Sequence, residues 1–176
     1  DLTLSMFLLA VQDLGVYVLE TPNLVLVLFP TFHAVAYTCG CLVSGRISDR
    51  YGRRWSAIVG CMGCVVIWLL VPRLGAWALV LFVMPIAGAA TSLFWPSVQA
   101  WLSELVSGGR RELTRVLGLF NIMWCTGLML GPVITGYLWE IHYPLAFHFA
   151  AAAQVLLILV LFSTPQRHGA ASDIHG

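Results

Sequence analysis

The sequence predicts an all-α polytopic membrane protein with six transmembrane helices, and three observations carry that reading. Of the 176 residues, 60% are apolar and only 10% are charged, whereas soluble domains run at about 45–50% apolar and about 25% charged. The apolar residues gather into long runs, each near the roughly 20 residues that a bilayer-crossing helix needs. The chain has no lysine, and eight of its nine arginines fall in alternate connections and the tail. Disorder is excluded by the same composition, because disordered chains are polar and poor in aromatics. A net charge of +1 argues against a nucleic-acid partner, which calls for a basic face.

The runs follow in order. The first covers about residues 4–19 and is interrupted by Asp13. The second covers 24–44 and the third 55–71. The fourth, 76–102, contains Pro85 and Pro96, which should kink it. The fifth covers 116–139 and the sixth 145–162. Helices are the right element, because lipid cannot satisfy an open backbone and these runs are far too long for barrel strands. Together they make one six-helix domain over residues 1–165, followed by a polar tail at 166–176. The connections at 20–23, 72–75 and 140–144 carry one arginine, Arg73. Those at 46–54 and 103–115, with the tail, carry the other eight. The positive-inside rule then places both termini in the cytoplasm, with the domain in a plasma or inner membrane. The first run has no basic leader and no small-residue cleavage site, so it reads as a span and not as a secretory signal. The chain opens at Asp1 and is expected to be a fragment.

The second connection reads Gly45-x-Ile47-x-Asp49-Arg50-x-Gly52-Arg53-Arg54. Gly45 and Gly52 permit a tight turn and close helix approach. Asp49 can face a helix N-terminus, where exposed N–H groups favour an anion, and Arg53 can brace that carboxylate. The segment resembles the signature loop of the major facilitator superfamily, Gly-x-Leu-x-Asp-Arg-x-Gly-Arg-Arg, with Ile47 in place of leucine. The resemblance implies a conformational-switch loop that latches two halves of a transporter, with Glu104 at the end of the fourth helix as its acidic partner. The plainer alternative is a basic anchor that holds topology.

The fifth run supplies a second match: Gly118, Gly127, Gly131-Pro132 and Thr135-Gly136. It resembles the antiporter motif of the same superfamily, except that Thr135 replaces the first glycine of the terminal pair. Glycines four apart let a neighbouring helix come close, and Pro132 bends the helix. The resemblance implies an interface helix between halves; generic small-residue packing is the alternative. Many proton-linked members hold an arginine four residues before a glycine in the fourth helix. Taking Gly88 as that glycine puts Met84 there, which speaks against proton-coupled export by that route. The resemblance covers the whole chain as one six-helix half of a twelve-helix protein, favours the N-terminal half, and implies two inverted three-helix repeats.

Ionisable groups at bilayer depth are costly and tend to face a cavity. Asp13 is the chief candidate for a substrate or proton pathway, unless it lies near the interface or pairs with another helix. His33 could share a proton with it, or could be a packed, hydrogen-bonded core histidine. Tyr37, Trp95, Gln99, Asn121, Trp124 and Gln154 are weaker cavity candidates, since each alone is more often helix–helix glue than a substrate contact. Cys61 and Cys64 have redox spacing inside an apolar helix, where thiolates form poorly.

The function expected is secondary active or facilitative transport of a small solute by alternating access, with drug or metabolite efflux in view. A non-transporting partner or sensor of the same fold is the alternative, and a membrane thiol oxidoreductase a remote one. No enzyme activity, cofactor or metal is expected, and coupling to a proton gradient is left open. The implied partners are the lipid bilayer, a small-molecule substrate, and a second six-helix half or a second copy.

Overall fold

The computed structural model describes residues 2–106 and 110–164, and every regular element among them is helical. The tail at 166–176 lies outside the described residues. We number the helices α1 (Leu2–Asp13, continued by a π turn at Leu14–Val18), α2 (Asn23–Tyr51) and α3 (Arg53–Leu70, closed by a 3₁₀ turn at Val71–Arg73). Next come α4 (Ala76–Ala78, a π turn at Leu79–Val83, then Met84–Leu105), α5 (Arg110–Ile141) and α6 (Pro144–Ser163). Five of these, α2 to α6, contain stretches long and apolar enough to cross a membrane; the apolar helix at Leu9–Val18 is shorter than a full span.

The boundaries differ from the sequence expectation where charge meets helix. Residues 46–54 were expected as a connection, yet α2 continues through Arg46, Asp49 and Arg50 to Tyr51, and α3 begins at Arg53. Likewise α5 starts at Arg110, ahead of residue 116. Arginine is a good helix former, so the backbone stays helical past the apolar edge where a hydropathy reading stops. The break between α2 and α3 is Gly52 alone, at φ +93°, a conformation costly for any residue with a Cβ. Gly45 lies inside α2 with no other element near its α-carbon, so it makes no close approach within this chain.

Prolines and glycines shape the long helices. Pro85 cannot donate to the carbonyl four residues back, and its ring crowds that carbonyl. The π turn immediately before it, Leu79–Val83, absorbs the misfit. In α1 the π turn includes Gly15, and a Cβ there would lie 2.5 Å from the Leu26 side chain and 2.9 Å from Phe29. Both π turns sit at the end that carries the connections with few arginines.

The packing has the pattern of a three-helix repeat. α1 packs on α5 and α6, α4 packs on α2 and α3, and α3 meets α6. Exchanging α1–α3 for α4–α6 maps this pattern onto itself. The two helices left at the margin, α2 and α5, are partners under the same exchange. Only 17% of α2's apolar stretch and 6% of α5's is buried, against 50% for α3 and for α4. The larger core cluster, with Phe7, Leu14, Phe29, Val71 and Leu79, lies toward the arginine-poor end. A smaller one, with Ala57, Ile58, Cys61 and Leu161, lies toward the arginine-bearing end.

Candidate functional site: an aromatic cavity and an ion-pair clasp

Between the two core clusters the helices enclose a concavity made of two adjoining hollows, about 350 and 380 Å³. Both hollows are lined by His33, Thr91, Trp95 and Trp124. Thr91, Trp95 and Gln99 are spaced four apart on α4, so one face of that helix looks into the space. Trp95 is the hub of an aromatic wall. Its ring lies 5.1 Å from Phe94 and 5.8 Å from Phe120, both edge-on, and 5.7 Å from Trp124. Edge-on and tilted pairs at these separations are the favoured geometries for aromatic rings.

The polar element of the wall is His33 with Thr91. The Thr91 hydroxyl donates to the carbonyls of Ala87 (2.9 Å) and Gly88 (3.0 Å). Its oxygen is then left to accept from His33 Nε2, 3.4 Å away. The His33 ring also stacks on Tyr37, with centroids 6.4 Å apart and planes 7° from parallel. The helices approach closely here because Gly88 has no side chain: a Cβ would run into the His33 carbonyl and come within 2.9 Å of the Tyr37 backbone nitrogen. Gly40 meets Ser92 in the same way one turn further along.

The structure brings His33, Tyr37, Trp95, Gln99, Trp124 and Gln154 to the cavity wall. Asp13 and Asn121 line neither hollow. Asp13 is the last residue before the α1 π turn, and among the described residues no hydrogen bond or ion pair joins it to His33, whose ring nitrogen faces Thr91. Phe7, Phe94, Phe120 and Thr91 are wall residues that sequence reasoning missed. The four-residue step from Thr91 to Trp95 and Gln99 could have revealed Thr91, but nothing distinguishes the phenylalanines from core. Cys61 and Cys64 are buried in α3.

At the arginine-bearing end, Arg53 joins two carboxylates. Its Nε lies 2.5 Å from Glu104 Oε1, and another guanidinium nitrogen lies 3.4 Å from Asp49 Oδ1. The base of α3 is thereby tied to the last turns of both α2 and α4. Arg54 donates to the Phe162 carbonyl at the end of α6 and lies over the Phe162 ring. Asp49 occupies the C-terminal turn of α2, the unfavourable end of the helix dipole for an anion, so Arg53 is its nearby compensation.

On α5 the buried residues, among those described, are Gly131 and Thr135. With the half-buried Gly127 they form a stripe at four-residue steps, while Gly118 and Gly136 are exposed with open space around them, and Pro132 is exposed on the same outer side. The motif's residues thus divide between an inner and an outer face. Among the described residues, the Thr135 hydroxyl is buried without a hydrogen-bond partner.

Apolar spans, a repeat-symmetric bundle and an aromatic-lined cavity define a polytopic helical membrane protein. The sequence model of the Major Facilitator Superfamily matches residues 2–174, and the chain belongs to that family. Multidrug resistance protein 1 of Bacillus subtilis is 29% identical over all of this chain and 49% of its own length. The human MFS-type transporter SLC18B1 is 31% identical over 72% of this chain and 30% of its own length. Tetracycline resistance protein, class H, of Pasteurella multocida is 25% identical over 67% of this chain and 29% of its own length. The chain thus spans about half or less of the curated relatives it matches.

Proposed function

We propose that this chain is one half of a transporter that moves a small lipophilic, aromatic solute across the membrane by alternating access, without catalysing a chemical reaction. The carrying observation is the cavity: a wall of Phe94, Trp95, Phe120 and Trp124, with one polar pair, His33–Thr91, to orient a solute. Aromatic faces with few placed polar groups suit a flat apolar ligand. The relatives named for multidrug and tetracycline resistance support export as the direction. Membrane transporters of this architecture rock two repeats or bundles around a midplane site, and the thinly covered α2 and α5 are where a second half, or a second copy, would seat. The arginine-bearing end is cytoplasmic in this reading.

The test compares cells expressing the chain alone with cells that also express a second six-helix half of the same family. Loss of a fluorescent lipophilic dye from preloaded cells is followed. Energised export is expected with both halves and none with the chain as a monomer. Export by a proven monomer overturns the half-transporter, and binding without export in the paired form supports a sensor instead.

A further inference from the structure

A second recess lies apart from the cavity and shares no wall residue with it. It is a groove of about 420 Å³ at the arginine-bearing end, where α2 and α3 diverge above α4. Ile47 and Tyr51 of α2 form one wall, Trp55 and Val59 of α3 the other, and Leu93 of α4 the floor. Ser56 also faces it, but its hydroxyl is turned to the Leu93 carbonyl at 3.4 Å, which leaves the lining apolar. Tyr51, Trp55 and Val59 are 65%, 51% and 54% exposed, so the groove opens outward.

The arginines around its mouth differ in their partners. Arg53 is occupied by Asp49 and Glu104, and Arg54 by the Phe162 carbonyl. Arg50 has no carboxylate partner among the described residues, and its guanidinium lies over the Tyr51 ring, 5.8 Å from the centroid. An unpaired cation therefore stands over an aromatic residue at the top of an apolar trough about one helical turn long. Tyrosine and tryptophan favour the headgroup level of a bilayer, and an arginine beside them attracts an anionic headgroup.

We propose that this groove binds one anionic phospholipid, with an acyl chain along Trp55 and Val59 and its phosphate at Arg50. The occupant is a lipid of the leaflet at the arginine-bearing end. The site would make occupancy sensitive to membrane composition independently of the solute cavity.

The test uses quenching of tryptophan by brominated acyl chains. The purified chain is reconstituted in phosphatidylcholine vesicles containing either dibrominated phosphatidylglycerol or dibrominated phosphatidylcholine, and the component lost in Trp55→Phe is isolated. Dibrominated phosphatidylglycerol is expected to occupy the site about fivefold more favourably, the worth of one arginine at an anionic surface. Arg50→Gln should bring that ratio near one while Trp55 remains quenched. Val59→Phe should lower quenching by both lipids, because the ring fills the trough. All three substituted positions are exposed, and retention of the helical circular dichroism checks the fold. Equal quenching by both lipids in the unsubstituted chain overturns the proposal, as does a preference unchanged by Arg50→Gln or quenching unchanged by Val59→Phe. A Trp55 that neither lipid reaches also overturns it, since the groove is then covered by protein.

Discussion

Arg53 Nε and Glu104 Oε1 stand 2.5 Å apart across 51 residues of sequence, joining the first residue of α3 to the last turn of α4. The pair is 30% and 55% exposed, and at such exposure a salt bridge contributes about 0.2–1 kcal/mol. A double-mutant cycle of Arg53→Gln and Glu104→Gln, read by thermal unfolding in detergent, is expected to give a coupling in that range. Raising the salt concentration should shrink it, because exposed charges are screened. A coupling of several kcal/mol would mean that the pair is sealed from water, contrary to the geometry described.

Gly88 and Gly118 should respond in opposite senses. A methyl group at Gly88 meets the backbone of α2 at His33 and Tyr37, which cannot swing aside. Gly88→Ala is expected to cost about 1–3 kcal/mol, the usual price of overpacking. Gly118 faces open space, so Gly118→Ala should stabilise the isolated chain by up to about 1 kcal/mol through helix propensity. If a second half packs on α5, the same Gly118→Ala should impair assembly or export, which co-purification of the two halves measures.

Thr135→Val removes a buried hydroxyl that has no partner among the described residues and keeps the side-chain shape. Replacing an unsatisfied polar group with an apolar one of similar shape is nearly neutral or stabilising. The expected shift in thermal stability is between zero and about 1 kcal/mol upward. A clear loss would show that the hydroxyl is bonded in the membrane.

Trp95→Ala and Asp13→Asn separate solute binding from energy coupling. Trp95 anchors the aromatic wall, and its removal is expected to weaken binding of a lipophilic dye about tenfold, equivalent to about 1.4 kcal/mol. Asp13 lies off the cavity wall, so Asp13→Asn should leave dye binding unchanged. If Asp13 carries coupling, the paired transporter with Asp13→Asn should lose accumulation against a gradient. Unchanged accumulation removes Asp13 from that role. Equilibrium binding and energised export, measured on the same preparations, distinguish the two outcomes.

The helix order was legible because hydropathy and arginine placement are one-dimensional signals. Runs of apolar residues mark spans, and Arg46 to Arg54 against a lone Arg73 marks their alternation. Helix ends were less legible, since nothing in an apolar count says that α2 stays helical through Arg50 until Gly52 turns it. Glu104 was legible as an acidic partner for the loop from its position at the end of the fourth run, but not that Arg53 is the residue it meets. The cavity was legible only through its polar and tryptophan members. Phe7 and Phe120 look like any core phenylalanine, and only the approach of α1 to α5 and of α2 to α4 decides that they face a space. Asp13 drew attention because a carboxylate in an apolar run is costly, but its height relative to His33 depends on packing that no linear reading contains.

The π turns of α1 and α4 give the bundle a one-sided slack. Each holds one residue more than an α-helical turn of the same rise, so both helices carry spare backbone length, and both store it at the end away from Arg53. Leu19 N–H to the Leu14 carbonyl at 2.9 Å is one such five-residue loop of hydrogen bonding. One rim of the bundle is thus tethered by charge, while the other is closed by backbone wider than an α-helix needs.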